Sequence, residues 1–139
     1  MLKQNGVKHV VICAGCFGDM LEEYVRSKNN LGLTIEFSFN GDRLLGTAGA
    51  LKKALPLLGD SFAVMYGDSY LTANFQPIAD FFANSDKQGL MTVFRNKDNW
   101  DASNIIFADN KIIKYDKKNK LPSMQHIDYG LLFFQAAAL

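Results

Sequence analysis

Two segments contain residues of types that could bind a phosphorylated ligand. The first is the run Gly46-Thr47-Ala48-Gly49. Its small residues let a ligand approach the backbone, and a helix beginning here would aim free N–H groups and its positive dipole end at an anion or a base edge. The second is Asp68, which follows the apolar run 61–66 and Gly67. A carboxylate at the carboxyl end of a strand can hold Mg²⁺, since proteins bind this ion with one or two carboxylates plus substrate phosphates.

Both segments also have structural interpretations, which remain open at this point. Residues 46–49 could be a strand-to-helix turn whose small side chains permit tight packing. Asp68 could cap the next segment or form a turn. Lys117, in the charged run 114–118, could neutralise a phosphate as a point charge, although most such runs are solvated loops. Gly130, in the segment 127–131 (IDYGL), indicates a close backbone approach, a bulge or the beginning of a buried strand.

Cys13 and Cys16 form a CxxC pair. A structural zinc site needs four ligands, and the two histidines, His9 and His126, stand alone, so the pair does not indicate zinc. A reversible redox dithiol remains a hypothesis. The favoured interpretation is that Cys13 packs as a small hydrophobe at the end of its strand.

Composition excludes several classes of protein. The chain has 139 residues, 48% of them hydrophobic, which suits one domain with a real core. The net charge of +1 comes without a basic stripe, so no nucleic-acid partner is expected. No apolar run approaches the roughly twenty residues that span a bilayer, so no membrane partner is expected either. Two thiols without a signal peptide predict a cytoplasmic location.

The apolar patterns predict strands and helices in alternation. Strands are predicted over residues 8–13, 34–39, 61–66, 89–95, 104–107, 111–115 and 129–134, and helices over 19–28, 48–58 and 77–84. Run 61–66 is the most apolar and is predicted as a central strand. The alternation favours an α/β fold with a mostly parallel sheet, in which ligands bind beyond the carboxyl ends of the strands. Residues 46–49 and Asp68 are both expected there.

Taken in order, these segments resemble the sugar-phosphate nucleotidylyltransferases. The run Leu45-Gly46-Thr47-Ala48-Gly49-Ala50-Leu51 is similar to the family's nucleotide-binding loop, and residues 62–71 (FAVMYGDSYL) to its strand ending in a metal-binding aspartate. Members join a nucleoside triphosphate to a sugar 1-phosphate and release pyrophosphate. The resemblance implies a Rossmann-like three-layer α/β/α fold with a mostly parallel mixed sheet, here incomplete.

The resemblance also implies roles for individual residues. Gly46, Thr47, Ala48 and Gly49 would line the nucleotide pocket. Asp68 would be a catalytic residue holding Mg²⁺, and Lys117 a catalytic residue facing the sugar phosphate. Asp116 and Gly130 would contact the sugar, although Asp116 stands where the family has a longer glutamate.

The sequence departs from the family's pattern at both ends. The family's N-terminal GxGxRL loop and its second metal aspartate are not found in residues 1–139, which are therefore expected to form a single partial nucleotidyltransferase domain. We expect no useful turnover from this chain alone, since phosphoryl-type transfer depends on positioning and charge neutralisation. The alternative is a non-catalytic nucleotide-binding, sugar-binding or assembly module descended from that family.

The family's first strand lies between the strands predicted at 8–13 and 61–66. Without it, two apolar strand edges would expose unpaired backbone groups. The sequence therefore predicts either direct pairing of these two strands or a homodimer that covers the exposed sheet edges.

Overall fold

The structure, a computed structural model, describes residues 1–41 and 45–139. The α-helices are α1 (Gly18–Ser27), α2 (Gly46–Ala54) and α3 (Gln76–Ala83). The strands are β1 (His9–Ala14), β2 (Thr34–Phe39), β3 (Ser61–Met65), β4 (Gly89–Arg95), β5 (Ile105–Ala108), β6 (Lys111–Tyr115) and β7 (His126–Gln135). Short 3₁₀ turns occur at Lys3–Asn5, Asn29–Gly32, Leu55–Leu57 and Ala136–Ala138. None of the described helices is long and apolar enough to cross a membrane.

Every predicted strand and helix has a counterpart, with shifts at the ends. Helix α2 begins at Gly46, two residues before the predicted start, and gives way to a 3₁₀ turn at Leu55–Leu57. Pro56 explains that change, because it has no backbone N–H and its ring obstructs a continuing helix. Strand β7 begins at His126, three residues before the predicted position 129.

The described strands form two sheets. Strands β1 and β2 pair in parallel, from His9 opposite Thr34 to Ala14 opposite Phe39. The second sheet is built around β7, which pairs antiparallel with β3, β4 and β5, while β6 pairs with β5. The α/β class is confirmed, but within the described residues parallel pairing occurs at β1–β2 and the five-stranded sheet is antiparallel. Asp109 and Asn110 form the hairpin turn that joins β5 to β6, with positive φ at both residues.

Strand β3 lies at a sheet edge, so the prediction of a central strand is wrong for the described chain. It pairs with β7 on one side, and β1 belongs to the other sheet. The hypothesis that β1 and β3 pair directly is therefore also wrong. Apolar composition indicates a strand whose two faces are covered, and it carries no information on whether both edges are paired.

The core lies where α3 packs on β7. Its buried members are Leu71, Phe75, Phe82, Leu131 and Phe133. The ring centroids of Phe82 and Phe133 lie 5.8 Å apart, and the angle between the ring planes is 41°. The N-terminal turn is fixed to the same region, because the N–H of Phe75 donates to Oδ1 of Asn5 at 2.9 Å. This packing holds the segment that follows Asp68.

Candidate functional site

A cavity of about 1470 Å³ lies between β1 and β3. Its lining includes Gly46 and Thr47 at the start of α2, and Tyr66 and Gly67 directly after β3. The small-residue run and the segment leading to Asp68 therefore meet at one cavity. This is the juxtaposition that the strand–helix alternation predicts.

The run 46–49 forms the first turn of α2. One of its residues allows close packing, and others are exposed to solvent. A Cβ on Gly49 would lie 3.0 Å from Cβ of Leu45, so that glycine permits tight packing. Gly46 has φ of +66° and open space around its Cα, while Thr47 and Ala48 are exposed. The first turn contains no acidic residue and no side chain caps it. Its backbone N–H groups are therefore available to an anion or a base edge.

Asp68 lies in an exposed turn after β3. The N–H of Ser69 donates to the carbonyl of Tyr66 at 3.1 Å, which closes the turn. The Asp68 carboxylate forms no ion pair with any residue that the structure describes. It is therefore available to a ligand beside the cavity.

Gly130 supports the same turn from β7. Its φ is +88°, and a Cβ at this position would lie 2.8 Å from Oγ of Ser69. Its N–H donates to Oδ1 of Asp128 at 2.8 Å. Glycine is required here because Ser69 occupies the space beside its Cα, so Gly130 helps to place the residue next to Asp68. The sugar contact implied by the resemblance stays a prediction.

Lys117 belongs to a polar cluster with Tyr115, Tyr66 and Asp128. The pKa of Lys117 lies above its ordinary value, chiefly through its hydrogen bond and charge interaction with Tyr115, and further through Tyr66 and Asp128. Partial burial raises the pKa of Tyr66, and the neighbouring Asp128 carboxylate raises it further. The structure thus brings Lys117 close to Tyr66, the residue that directly follows β3.

Tyr66 and Asp128 were not predicted as site residues from the sequence. Asp128 interrupts the apolar run of β7 two residues before Gly130. An acidic residue inside an apolar strand is the signal that could have identified it.

Asp116 uses its carboxylate to fold its own loop. Its Oδ1 accepts hydrogen bonds from the N–H groups of Lys118 and Asn119, both at 2.9 Å. These backbone bonds, with the Asn119 side chain, hold the pKa of Asp116 below its ordinary value. The observed role of Asp116 is structural, and its predicted contact with a sugar is untested.

The two cysteines are free thiols in different surroundings. Cys13 is half-buried, with Sγ 3.8 Å from the carbonyl oxygen of Ala50, whereas Cys16 is exposed. Burial raises the pKa of Cys13, which lowers its thiolate fraction and therefore its reactivity. In the described part of the chain no three His, Cys, Asp or Glu side chains converge as metal ligands. These features favour the packing interpretation of Cys13.

Comparison with known proteins adds independent observations. The family model described as nucleotidyl transferase matches residues 1–137. The chain is 27% identical over 144 aligned positions to the mannose-1-phosphate guanylyltransferase catalytic subunit beta of Xenopus tropicalis, covering 99% of this chain and 40% of that protein. It is 29% identical over 82 positions to the UTP–glucose-1-phosphate uridylyltransferase of Synechocystis, covering 51% of this chain and 21% of that protein.

Solved structures match over nearly the whole chain. HddC from Yersinia pseudotuberculosis, complexed with GMP-PN, aligns with a TM-score of 0.79 at 19% identity, covering 98% of this chain and 60% of that one. The inositol-1-phosphate CTP transferase from T. maritima aligns with a TM-score of 0.73 at 22% identity, covering 98% and 55%. These likenesses confirm the Rossmann-like α/β fold.

The matched proteins are longer than this chain. The chain spans about 40% of the length of the Xenopus guanylyltransferase. It nevertheless matches the family model over nearly all of its own residues. The chain therefore belongs to the nucleotidyl transferase family.

Proposed function

We propose that this chain forms one part of a sugar-1-phosphate nucleotidylyltransferase site, in which a nucleoside triphosphate and a sugar 1-phosphate give a nucleoside diphosphate sugar and pyrophosphate. The observation that supports it most strongly is the shared cavity of Gly46, Thr47, Tyr66 and Gly67. The site joins an uncapped helix start, a carboxylate without an ion pair among the described residues, and the polar cluster of Lys117 beside the end of β3. Phosphoryl-type transfer needs such positioning and charge balance.

The nucleotide would bind at the start of α2. Free N–H groups of the first turn and the positive dipole end suit its phosphates or a base edge. Asn40 lines the same cavity, and its Oδ1 is buried without a hydrogen-bond partner among the described residues. A buried amide without a partner costs free energy. We therefore assign Asn40 a contact to the base.

Asp68 would hold a magnesium ion together with the phosphates of the nucleotide. The fit rests on its exposed carboxylate, unpaired within the described chain, next to the cavity that Gly67 lines. Such an ion neutralises phosphate charge when it is bound. The contribution of Asp68 is to fix that charge beside the turn that Ser69 and Gly130 support.

Lys117 would bind the phosphate of the sugar. Its pKa lies above the ordinary lysine value, so it stays cationic at every physiological pH. Asp128 and Tyr66 position it, and the loop folded by Asp116 carries it. Direct contacts of Asp116 and Gly130 with the sugar belong to the same proposal.

The 139 residues alone are proposed to bind nucleotide without useful turnover. The cavity between β1 and β3 admits water to the site. Water weakens the electrostatic interactions on which transfer depends. A pyrophosphate-release assay with a panel of triphosphates and sugar phosphates should give no signal above background. Robust release would contradict this half of the proposal.

Calorimetric titration tests the binding half. The wild-type chain should bind a nucleoside triphosphate more tightly with Mg²⁺ than without it. Asp68→Asn should remove that magnesium-dependent gain, because an amide carries no charge for the cation. Asp86→Asn is the matched control, since Asp86 is an exposed aspartate that pairs with Lys87 in another loop. Equal magnesium dependence in all three proteins would exclude Asp68 as the metal ligand.

A non-catalytic assembly module is the second candidate function. Within the described residues β1 and β3 each have one unpaired edge, which favours it, because exposed strand edges are templates for another chain.

A further inference from the structure

The segment that joins β4 to β5, residues 96–103 and here called the Trp100 loop, carries the most exposed large apolar side chain among the described residues. Trp100 is 81% exposed, and it is the only tryptophan in the sequence. Lys97 and Asp98 precede it with φ of +49° and +60°. Residues other than glycine are strained in this region, and such strain persists where the surrounding structure holds it.

The Trp100 loop is held by hydrogen bonds of its own. Asn96 and Ser103 are 0% and 1% exposed although both are polar. The side chain of Asn96 donates to Oγ of Ser103 at 3.2 Å and accepts from the N–H of Trp100 at 3.1 Å. The N–H of Ser103 donates to Oδ1 of Asp98 at 2.7 Å. The loop therefore carries an exposed indole on a backbone that is already ordered, which reduces the entropy cost of binding a ligand there.

Strand registers place the Trp100 loop at the same end of the sheet as the candidate site. Strands β3 and β4 both run antiparallel to β7, so their carboxyl ends lie toward the first residues of β7. Met65 at the end of β3 pairs with Leu131, and Arg95 at the end of β4 pairs with His126. At about 3.3 Å per residue along β7, these two strand ends are at most about 17 Å apart along the strand direction.

The Trp100 loop is also joined to the segment that carries Lys117. Nζ of Lys120 lies 2.9 Å from Oδ2 of Asp98. The backbone N–H of Asp116 donates to the carbonyl of Asn104 at 3.0 Å. Asn104 directly follows the loop, and Asp116 directly precedes Lys117. The two segments are therefore fixed to each other at two points.

The surroundings of the indole suit a sugar ring better than an apolar protein surface. Asn99 and Asp101 flank Trp100 in the chain and are exposed. An apolar partner would bury these polar groups without hydrogen bonds, which costs free energy. The face of an indole is electron-rich and attracts the weakly positive C–H groups of a sugar ring. The hydroxyl groups of the same ring can bind the flanking amide and carboxylate.

We propose that Trp100 stacks on the ring of the sugar 1-phosphate whose phosphate Lys117 binds. This inference rests on the function proposed above and adds to it a residue that recognises the sugar. Lys117 attracts any phosphate as a point charge, whereas Trp100 distinguishes a sugar phosphate from a phosphate without a ring.

Intrinsic fluorescence tests the contact directly, because Trp100 is the only indole in the sequence. The probes are glucose 1-phosphate and mannose 1-phosphate, and inorganic phosphate is the control ligand. Saturating sugar phosphate should move the emission maximum to shorter wavelength and reduce quenching by acrylamide, because stacking removes the indole from water. Inorganic phosphate should change neither property.

Calorimetric titration of variants supplies the second arm. Trp100→Ala should weaken the binding of both sugar phosphates about three- to tenfold and leave the binding of inorganic phosphate unchanged. Trp100→Phe should retain most of the affinity, since its smaller ring can still stack. Phe81→Ala is the matched control, because Phe81 is an aromatic residue of α3 that is 61% exposed, and it should leave all affinities unchanged. The exposure of Trp100 means that its truncation should leave the fold intact, which circular dichroism checks.

The outcomes separate this inference from the function on which it rests. If the sugar phosphates bind without changing the emission, and bind Trp100→Ala as tightly as wild type, the role of Trp100 is overturned and that of Lys117 stands. An equal loss of affinity for inorganic phosphate in Trp100→Ala would also overturn it, because the substitution would then act on the phosphate site. Absence of binding of both sugar phosphates up to about 10 mM would overturn the roles of Trp100 and Lys117 together. A wild-type dimer that Trp100→Ala converts to a monomer would assign the indole to a contact between two copies instead.

Discussion

Strands β7 and β3 lie side by side in one sheet, yet they differ in how completely they are covered. Residues 130–133 of β7 are buried, and β7 has paired neighbours on both edges. Strand β3 is apolar along most of its length, but among the described residues it pairs with β7 alone, and Ala63 is exposed. The difference teaches that an apolar strand is buried by its neighbours.

The largest expected contrast comes from shortening one side chain in each strand. Leu131 of β7 is 1% exposed, so Leu131→Ala should lower the free energy of unfolding by about 2 to 5 kcal/mol. Val64→Ala in β3 should cost about 1 kcal/mol or less, because this side chain is only partly buried. Urea denaturation of both variants measures the two losses. Equal losses would show that β3 is as well covered as β7.

Proline scanning sharpens the comparison within β3 itself. The N–H of Val64 faces β7, so Val64→Pro removes a bond of the sheet and leaves a buried carbonyl without its donor. This assignment follows because the N–H of Ala136 donates to the carbonyl of Asp60 at 2.8 Å, so that even-numbered residues of β3 face β7 and the N–H of Ala63 faces away from it. We expect Val64→Pro to destabilise the fold by about 2 kcal/mol more than Ala63→Pro. The same urea titration provides the measurement, and the reverse order would refute the assignment of alternate residues to the two edges.

Local patterns in the sequence were sufficient for most elements and for the meeting of two segments at the site. Strand and helix periodicity located β1, β2, β4 and β6 closely, since that signal lies within a few neighbouring residues. The glycine-rich start of α2 and the position of Asp68 after β3 followed from the same alternation.

The pairing of one strand with another could not be predicted from such local patterns. Whether β3 pairs with β1 or with β7 depends on residues about fifty or seventy positions away, and apolar composition is the same in both cases. The contact of Gly130 with Ser69 and the proximity of Asp128 to Tyr66 are also non-local. The hydrogen bonds of the Asp116 carboxylate to Lys118 and Asn119 form within a turn that the charged run 114–118 does not indicate, and the predicted contact of Asp116 with a sugar stays a prediction.

Gly130 links the covered strand to the site, and its substitution should have an intermediate effect. Gly130→Ala forces a Cβ to 2.8 Å from Oγ of Ser69 and strains a φ of +88°. A loss of about 1 to 3 kcal/mol in unfolding free energy is expected. Adding Ser69→Gly should restore the steric part and leave the backbone strain.

A double-mutant cycle separates the two parts. The coupling between Gly130→Ala and Ser69→Gly should be favourable, because the second substitution removes the atoms that the new methyl group meets. Thermal or urea unfolding of the four proteins gives the coupling. Strict additivity would mean that Ser69 moves away freely, and that Gly130 does not position the turn at Asp68.

The smallest expected effect concerns the start of β7, whose first residues are only partly buried and include polar side chains. His126 lies with its ring centroid 5.4 Å from that of Phe107, and its Nδ1 is buried without a hydrogen-bond partner among the described residues. Burial lowers the pKa of His126, and the nearby Arg95 lowers it further. The folded protein therefore takes up this proton at a lower pH than the unfolded chain, in which the pKa is about 6.5.

The sign of the pH dependence follows from that difference. Below about pH 6.5 the unfolded chain binds a proton that the folded chain does not, so stability falls as the pH drops from neutrality toward the folded pKa. Stability is unaffected by this group well above pH 7. His126→Gln should therefore flatten the loss of stability between pH 7 and 5, measured as unfolding free energies in urea at several pH values. If the unfolding free energy of the variant depended on pH as steeply as that of the wild type, His126 would be as well solvated in the folded protein as in the unfolded chain. The start of β7 would then resemble the open edge of β3 more than the covered centre of its own strand.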